Sequence, residues 1–143
     1  MKILGLDLGS KTIGVAISDD LVITAQVLTS IKRTILPKDL EAILDLVKEY
    51  QVEECVVGLP INMDGSKGES ALKAEEFIET LRQCLTIKII PWDERLSTVA
   101  AERILLEGDL SRQKRRKVID RLAAAFILQG YLDSRPRDKG LFP

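Results

Sequence analysis

The sequence predicts a single mixed α/β domain, a five-stranded sheet with helices packed on it. Three observations carry that prediction. Three apolar runs at the N-terminus are separated by connections too short to hold a helix. Two later apolar runs are each reached through a segment of helical period. The chain has 143 residues, 45% of them apolar and 30% charged, which is one soluble domain's worth. A chain of this length buries roughly two-thirds of its unfolded surface and needs no disulfide or structural zinc to fold.

The elements follow in order. Residues 2–9 (KILGLDLG) are apolar at nearly every position and read as a central strand. Residues 12–19 alternate, with Ile13, Val15 and Ile17 on one face. Residues 21–30 read as a third strand, joined to the second at about Asp19-Asp20, so the three form an antiparallel meander. Residues 37–50 switch to helical period through Leu40, Ile43, Leu44 and Val47, with Pro37 near the start. Residues 52–59 are a strand ending at Pro60, followed by the polar loop Asn62-Met63-Asp64-Gly65.

Ser66 and Glu69 have capping-box spacing for a helix through about Leu85. Residues 86–91 are a fifth strand, residues 97–107 a helix stopped by Gly108, and Ser111 caps a last helix from 112 to about 133. The two later strands are expected to run parallel to a neighbour. The domain spans 1–134, and the Pro- and Gly-rich stretch 135–143 is expected to be a loosely ordered tail.

Composition excludes much chemistry. There is no His, so there is no Ser-His-Asp triad, Cys-His dyad, HExxH zinc site or His general base. With 21 basic against 22 acidic residues, the chain is not a generic polycation that coats nucleic acid, although a local basic patch remains open. Cys55 and Cys84 form no CxxC and read as reduced thiols. Asp7 interrupts the first apolar run, so it is no signal peptide, and no run approaches the roughly 18 apolar residues of a membrane span. A cytoplasmic protein without membrane contact is expected.

Three acids stand out. Asp7 is a carboxylate in an apolar strand, costly without a partner or a metal. If Ser10-Lys11 is a two-residue hairpin loop, Asp7 pairs across from Gly14 and Gly5 across from Ala16. The face around Asp7 is then nearly bare, and strand glycines often mark close approach of a ligand or another backbone. Asp93-Glu94-Arg95-Leu96-Ser97-Thr98 follows the fifth strand and opens a helix, at the end of the sheet where ligands gather. Glu94 is the favoured chemical residue there, with Asp93 as its alternative. Asp120 lies on the shoulder of a stripe formed by Ile119, Leu122, Ala123 and Phe126.

Each acid also has an ordinary reading: a turn or a Lys11 pair for Asp7, helix entry for Asp93 and Glu94, an exposed pair with Arg116 or Lys117 for Asp120. Together, carboxylates from separate elements without His or Cys make an all-oxygen site suited to Mg²⁺ or Mn²⁺. Paired ions in such a site hydrolyse phosphodiesters. The basic residues suit that substrate. Arg112, Lys114, Arg115, Arg116 and Lys117 crowd a helix start, where positive charge opposes the dipole, while Lys11 and Arg95 flank the acids. Aromatic residues are only 4%, so recognition is expected to rest on backbone and shape rather than stacking.

Four motifs in order resemble the YqgF family, also called RuvX-like or Holliday-junction-resolvase-like, of the RNase H superfamily. They are Asp7-Leu8-Gly9-Ser10-Lys11 with Ile13 to Asp19, Gly58-Leu59-Pro60 with Asp64-Gly65-Ser66, Asp93 to Thr98, and Lys117 to Ala124. The resemblance covers residues 1 to about 133. It implies an RNase H-like fold of strand order 3-2-1-4-5. It implies a divalent-metal nuclease site at Asp7, Glu94 and Asp120. It also implies a role in maturing the 5′ end of 16S ribosomal RNA, or cleavage of Holliday junctions in branched DNA. Lys11, Arg95, Ser97, Thr98 and the 112–117 segment would contact nucleic acid. One position departs: the family usually has Arg after the loop Lys, and here it is Thr12.

Two rivals stay open. The DxGxxxxG pattern also resembles the phosphate loop of actin-like kinases, but those clasp nucleotide between two lobes and this chain has room for one. The other is a non-catalytic RNA-binding ribosome-assembly factor of the same fold.

Overall fold

The computed structural model describes residues 1–96 and 112–136. The described residues form strands β1 (Lys2–Leu8), β2 (Thr12–Ser18), β3 (Ala25–Lys32), β4 (Val52–Leu59) and β5 (Lys88–Asp93). They also form helices α1 (Leu36–Glu49), α2 (Glu69–Cys84) and α3 (Arg112–Ser134). The sheet order is β3-β2-β1-β4-β5. β1–β2 and β2–β3 are antiparallel, β1–β4 and β4–β5 parallel, as the chain order predicts.

Helices cover both faces of the sheet. Against one, Leu4, Leu6, Val15 and Val57 pack with Ile43 of α1 and with Phe77 and Leu81 of α2. Against the other, Ile3, Ala16 and Val56 pack with Ile119, Ala123, Ile127 and Leu128 of α3. Ile3, Leu4 and Leu6 are each 0% exposed, which is why β1 reads as a continuous apolar run. The buried Ile3 N–H is satisfied by the Ser18 hydroxyl at 2.8 Å. Both cysteines are free, Cys55 buried and Cys84 exposed. Burial pushes the Cys55 thiol up to about 12.

Several boundaries differ from expectation. β3 starts at Ala25, not at 21. The Asp19 carboxylate accepts the N–H groups of Ile23 (2.7 Å) and Thr24 (3.1 Å), and Val22 has φ 59. The apolar residues Leu21 to Ile23 are therefore a turn, with Leu21 74% exposed. Helix α2 lacks the expected capping box: its N-cap is Gly68, and the Ser66 hydroxyl bonds Asp64 and Asn62 instead. β5 is shifted toward the C-terminus and ends at Asp93, so Glu94–Leu96 form a 3-10 turn rather than the start of an α-helix. The expected 97–107 helix and the Ser111 cap lie outside the described residues, as do residues 137–143 of the expected tail. Arg135 is described, and it bonds Glu54 at 3.3 Å and lies over the Tyr131 ring. No helix among the described residues is long and apolar enough to cross a membrane.

Candidate active site

The β1–β2 register is the one read from the hairpin: Asp7 opposite Gly14, Gly5 opposite Ala16. On its other side β1 pairs Leu6 with Val57, so one step further Asp7 lies beside Gly58, which itself pairs with Trp92. Across the sheet the row is Gly14, Asp7, Gly58, Trp92. Asp7 is flanked on both sides by residues with no side chain.

Each glycine gap receives something different. A Cβ on Gly58 would stand 2.8 Å from Glu94 Oε1 and 2.7 Å from Ile127 Cδ1. Glu94 therefore leans back over β4, on the face that α3 covers and that Asp7 shares. A Cβ on Gly14 would meet Asp7 Cβ and Ala124 Cβ at 3.6 Å and the Asp120 carbonyl at 3.8 Å. Asp120 thus sits over the second gap with its side chain exposed to solvent. Gly5 serves packing instead: a Cβ there would be 2.8 Å from Leu128 Cβ and 3.2 Å from the Ala124 carbonyl. Part of the bare face is bare for helix α3 and part for the Glu94 carboxylate.

Asp93 has a different job. Its Oδ2 accepts Arg95 Nη2 at 2.8 Å, and its Oδ1 accepts the Arg95 backbone N–H at 2.9 Å. The guanidinium beside it holds its carboxyl below the usual carboxylate range. Arg95 Nη1 also reaches the Met63 carbonyl at 3.4 Å, tying the end of β5 to the loop after β4. In that loop the Asp64 carboxylate bonds Ser66, which lowers its pKa. Asp93 is thus engaged by Arg95, while Glu94 lies over Gly58, the neighbour of Asp7 on β4.

Asp7, Glu94 and Asp120 each already have an interaction partner. As placed, no group of three His, Cys, Asp or Glu among the described residues could hold a metal ion. Lys11, Lys114 and Lys117 are exposed, Lys11 in the hairpin loop and the other two at the start of α3. Arg112, Arg115 and Arg116 lie on the same helix, with side chains outside the description, and Ser97 and Thr98 lie outside the described residues.

Sequence reading missed two supports. Gly58 stood out only as part of a motif, although a glycine in so apolar a strand signals close approach. Arg33 gave no signal. Its Nη1 bonds the Gly9 carbonyl at 2.8 Å, its Nε is 3.8 Å from the buried Asp39, and it lies over the Phe77 ring. Arg33 thereby braces the loop that follows Asp7.

The model of the family described as RuvX, Holliday junction resolvase, matches residues 1–134. The chain belongs to the RuvX family. A Myxococcus xanthus (strain DK1622) relative named "Putative pre-16S rRNA nuclease" is 54% identical, covering 100% of this chain and 95% of the relative. A Clostridium tetani (strain Massachusetts / E88) relative of the same name is 54% identical, covering 94% and 97%. The solved structure of T. thermophilus RuvC in complex with Holliday junction substrate superposes with a TM-score of 0.58 at 14% identity, covering 93% of this chain and 95% of that one. That likeness shows the fold, an RNase H-like sheet with the strand order expected. RuvX membership makes the chain a nuclease by class, a hydrolase of phosphodiester bonds.

Proposed function

We propose that this RuvX protein is a cytoplasmic, divalent-metal-dependent endonuclease of structured RNA that processes the 5′ end of pre-16S rRNA. The observation that carries the reading is the row in which Asp7 stands between Gly14 and Gly58, with the Glu94 carboxylate over one gap and the backbone of Asp120 at the other. The donor set fits a hard cation: carboxylate oxygens from three elements, in a chain with no His at all.

Asp7, Glu94 and Asp120 would hold Mg²⁺ or Mn²⁺, their carboxylates drawing together on the ion. Bound there, the metal supplies an activated water and charge stabilisation for the leaving oxygen. The rest is the work of this chain's own residues. Lys11 on the hairpin loop, Arg95, Ser97, Thr98 and the 112–117 segment position the phosphates of the substrate. The Asp93–Arg95 pair fixes the backbone from which Glu94 projects. Arg33 holds the carbonyl of Gly9 and with it the turn that follows Asp7.

RNA is favoured over branched DNA because the relatives at 54% identity carry the rRNA name, whereas RuvC likeness is at 14%. The family description keeps junction cleavage as the second reading. Purified protein with Mn²⁺ is assayed on pre-16S 5′-leader RNA and on a four-way DNA junction, beside Asp7→Asn to exclude contaminating nuclease. Cleavage of the leader by wild type alone supports the proposal. Cleavage of the junction alone selects the second reading. Binding without cleavage of either selects the non-catalytic assembly factor.

A further inference from the structure

On the opposite sheet face from the carboxylates, a groove of about 550 Å³ lies between α2, the start of α1 and the end of β1. Leu8, the residue after Asp7, and the hairpin residues Gly9 and Ser10 line its end. Its volume lies in the range of sites that take a small ligand. Leu36, 46% exposed, gives it an accessible apolar surface, while Ala74 and Phe77 beneath are buried, Phe77 under the Arg33 guanidinium.

The wall carries fixed and movable positive charge. Arg33 is held by the Gly9 carbonyl, by Asp39 and over the Phe77 ring, contacts that use fewer than its five N–H donors. Lys73 pairs with Glu69 at 2.9 Å, but the two side chains are 71% and 82% exposed. Such a surface pair is weak and is readily exchanged for a stronger anion. Among the described lining residues Glu76 is the one acid, against two cations, each of them paired with an acid just outside the lining.

Exposed Leu36 beside the Arg33 and Lys73 cations suits a nucleotide, whose base packs on aliphatic carbon and whose phosphate takes Arg and Lys. We infer that this groove binds a nucleotide of the single-stranded RNA flanking the bond to be cut, after the strand passes the Gly9–Ser10 hairpin loop. The inference rests on the nuclease reading and adds to it a second contact surface, one that favours substrates with an unpaired flank.

The test measures binding, not cleavage. Labelled leader RNAs with single-stranded flanks of increasing length are titrated against Asp7→Asn without turnover. The longest flank is expected to tighten binding about tenfold over the flankless RNA, the size of one charge-assisted phosphate contact. In Ser70→Trp, which fills the groove mouth from exposed α2, and in Lys73→Glu, that ratio falls to about one. Both positions are exposed, and melting temperature verifies folding. A flank advantage absent from the parent, or undiminished in both variants, overturns the inference while the nuclease reading stands. Failure to bind any of these RNAs overturns both.

Discussion

Glu94 occupies the space that a side chain at position 58 would need. A Cβ on Gly58 would be 2.8 Å from Glu94 Oε1, closer than non-bonded carbon and oxygen approach. The glycine in β4 therefore sets where a carboxylate beginning two strands away from Asp7 comes to rest.

The first prediction follows from what surrounds each glycine. Gly58→Ala pushes on the movable ends of Glu94 and Ile127, whereas Gly5→Ala pushes on Leu128 Cβ and the Ala124 backbone. Gly5→Ala is expected to cost about 1–3 kcal/mol of stability. Gly58→Ala is expected to cost less, yet to lower cleavage far more. Chemical denaturation beside a cleavage assay separates the two effects.

The two neighbouring acids are expected to part. Glu94→Gln removes a proposed metal ligand and lowers cleavage by more than about a hundredfold with melting unchanged. Asp93→Asn releases Arg95 from the loop after β4 and gives a smaller loss, raised KM more than lowered kcat. Steady-state kinetics on leader RNA read the difference.

Stability near Asp93 also depends on acid. Its folded pKa is below the unfolded value of about 3.9. Its contribution is therefore present above the unfolded value and is lost as pH falls through the folded one. Wild type is expected to lose more stability than Asp93→Asn on acidification below about pH 4, read by denaturant midpoints.

At the far end of α3 the sign reverses. Tyr131 donates to Glu54 Oε1 at 2.7 Å, and burial followed by that bond pushes its phenol up to about 12. Its contribution is full below the unfolded value of about 10 and is lost as pH rises through about 12. An ultraviolet titration of wild type against Tyr131→Phe is expected to lose the high-pH step. The substitution itself is expected to cost about 1 kcal/mol.

Metal binding should register without activity. Mg²⁺ or Mn²⁺ at a hundred times its Kd stabilises the fold by about 2.7 kcal/mol. A thermal shift of about 5–10 °C follows for a domain of this size. Asp7→Asn reduces the shift, and lower pH weakens it as protons compete for the carboxylates.

Much of this was legible because local pattern and global fold agree. The Asp7–Gly14 register follows from a short hairpin between alternating strands, and the parallel β4 and β5 follow from the helices that precede them. What the sequence hid was tertiary. Leu21 to Ile23 look like strand, but the Asp19 carboxylate turns them into a loop. Ser66 has the spacing of a cap, but Asp64 captures its hydroxyl. The choice between Glu94 and Asp93 depends on Arg95 and on Gly58, a residue from another strand. The brace from Arg33 to Gly9 joins residues 24 apart and leaves no periodic trace.

The most direct test of the central claim is single-turnover cleavage of pre-16S 5′-leader RNA in Mn²⁺ by wild type and by Asp7→Asn, both verified as folded by circular dichroism. Wild type is expected to cleave and Asp7→Asn is not, with RNA binding retained. Equal cleavage by the two proteins would contradict the claim.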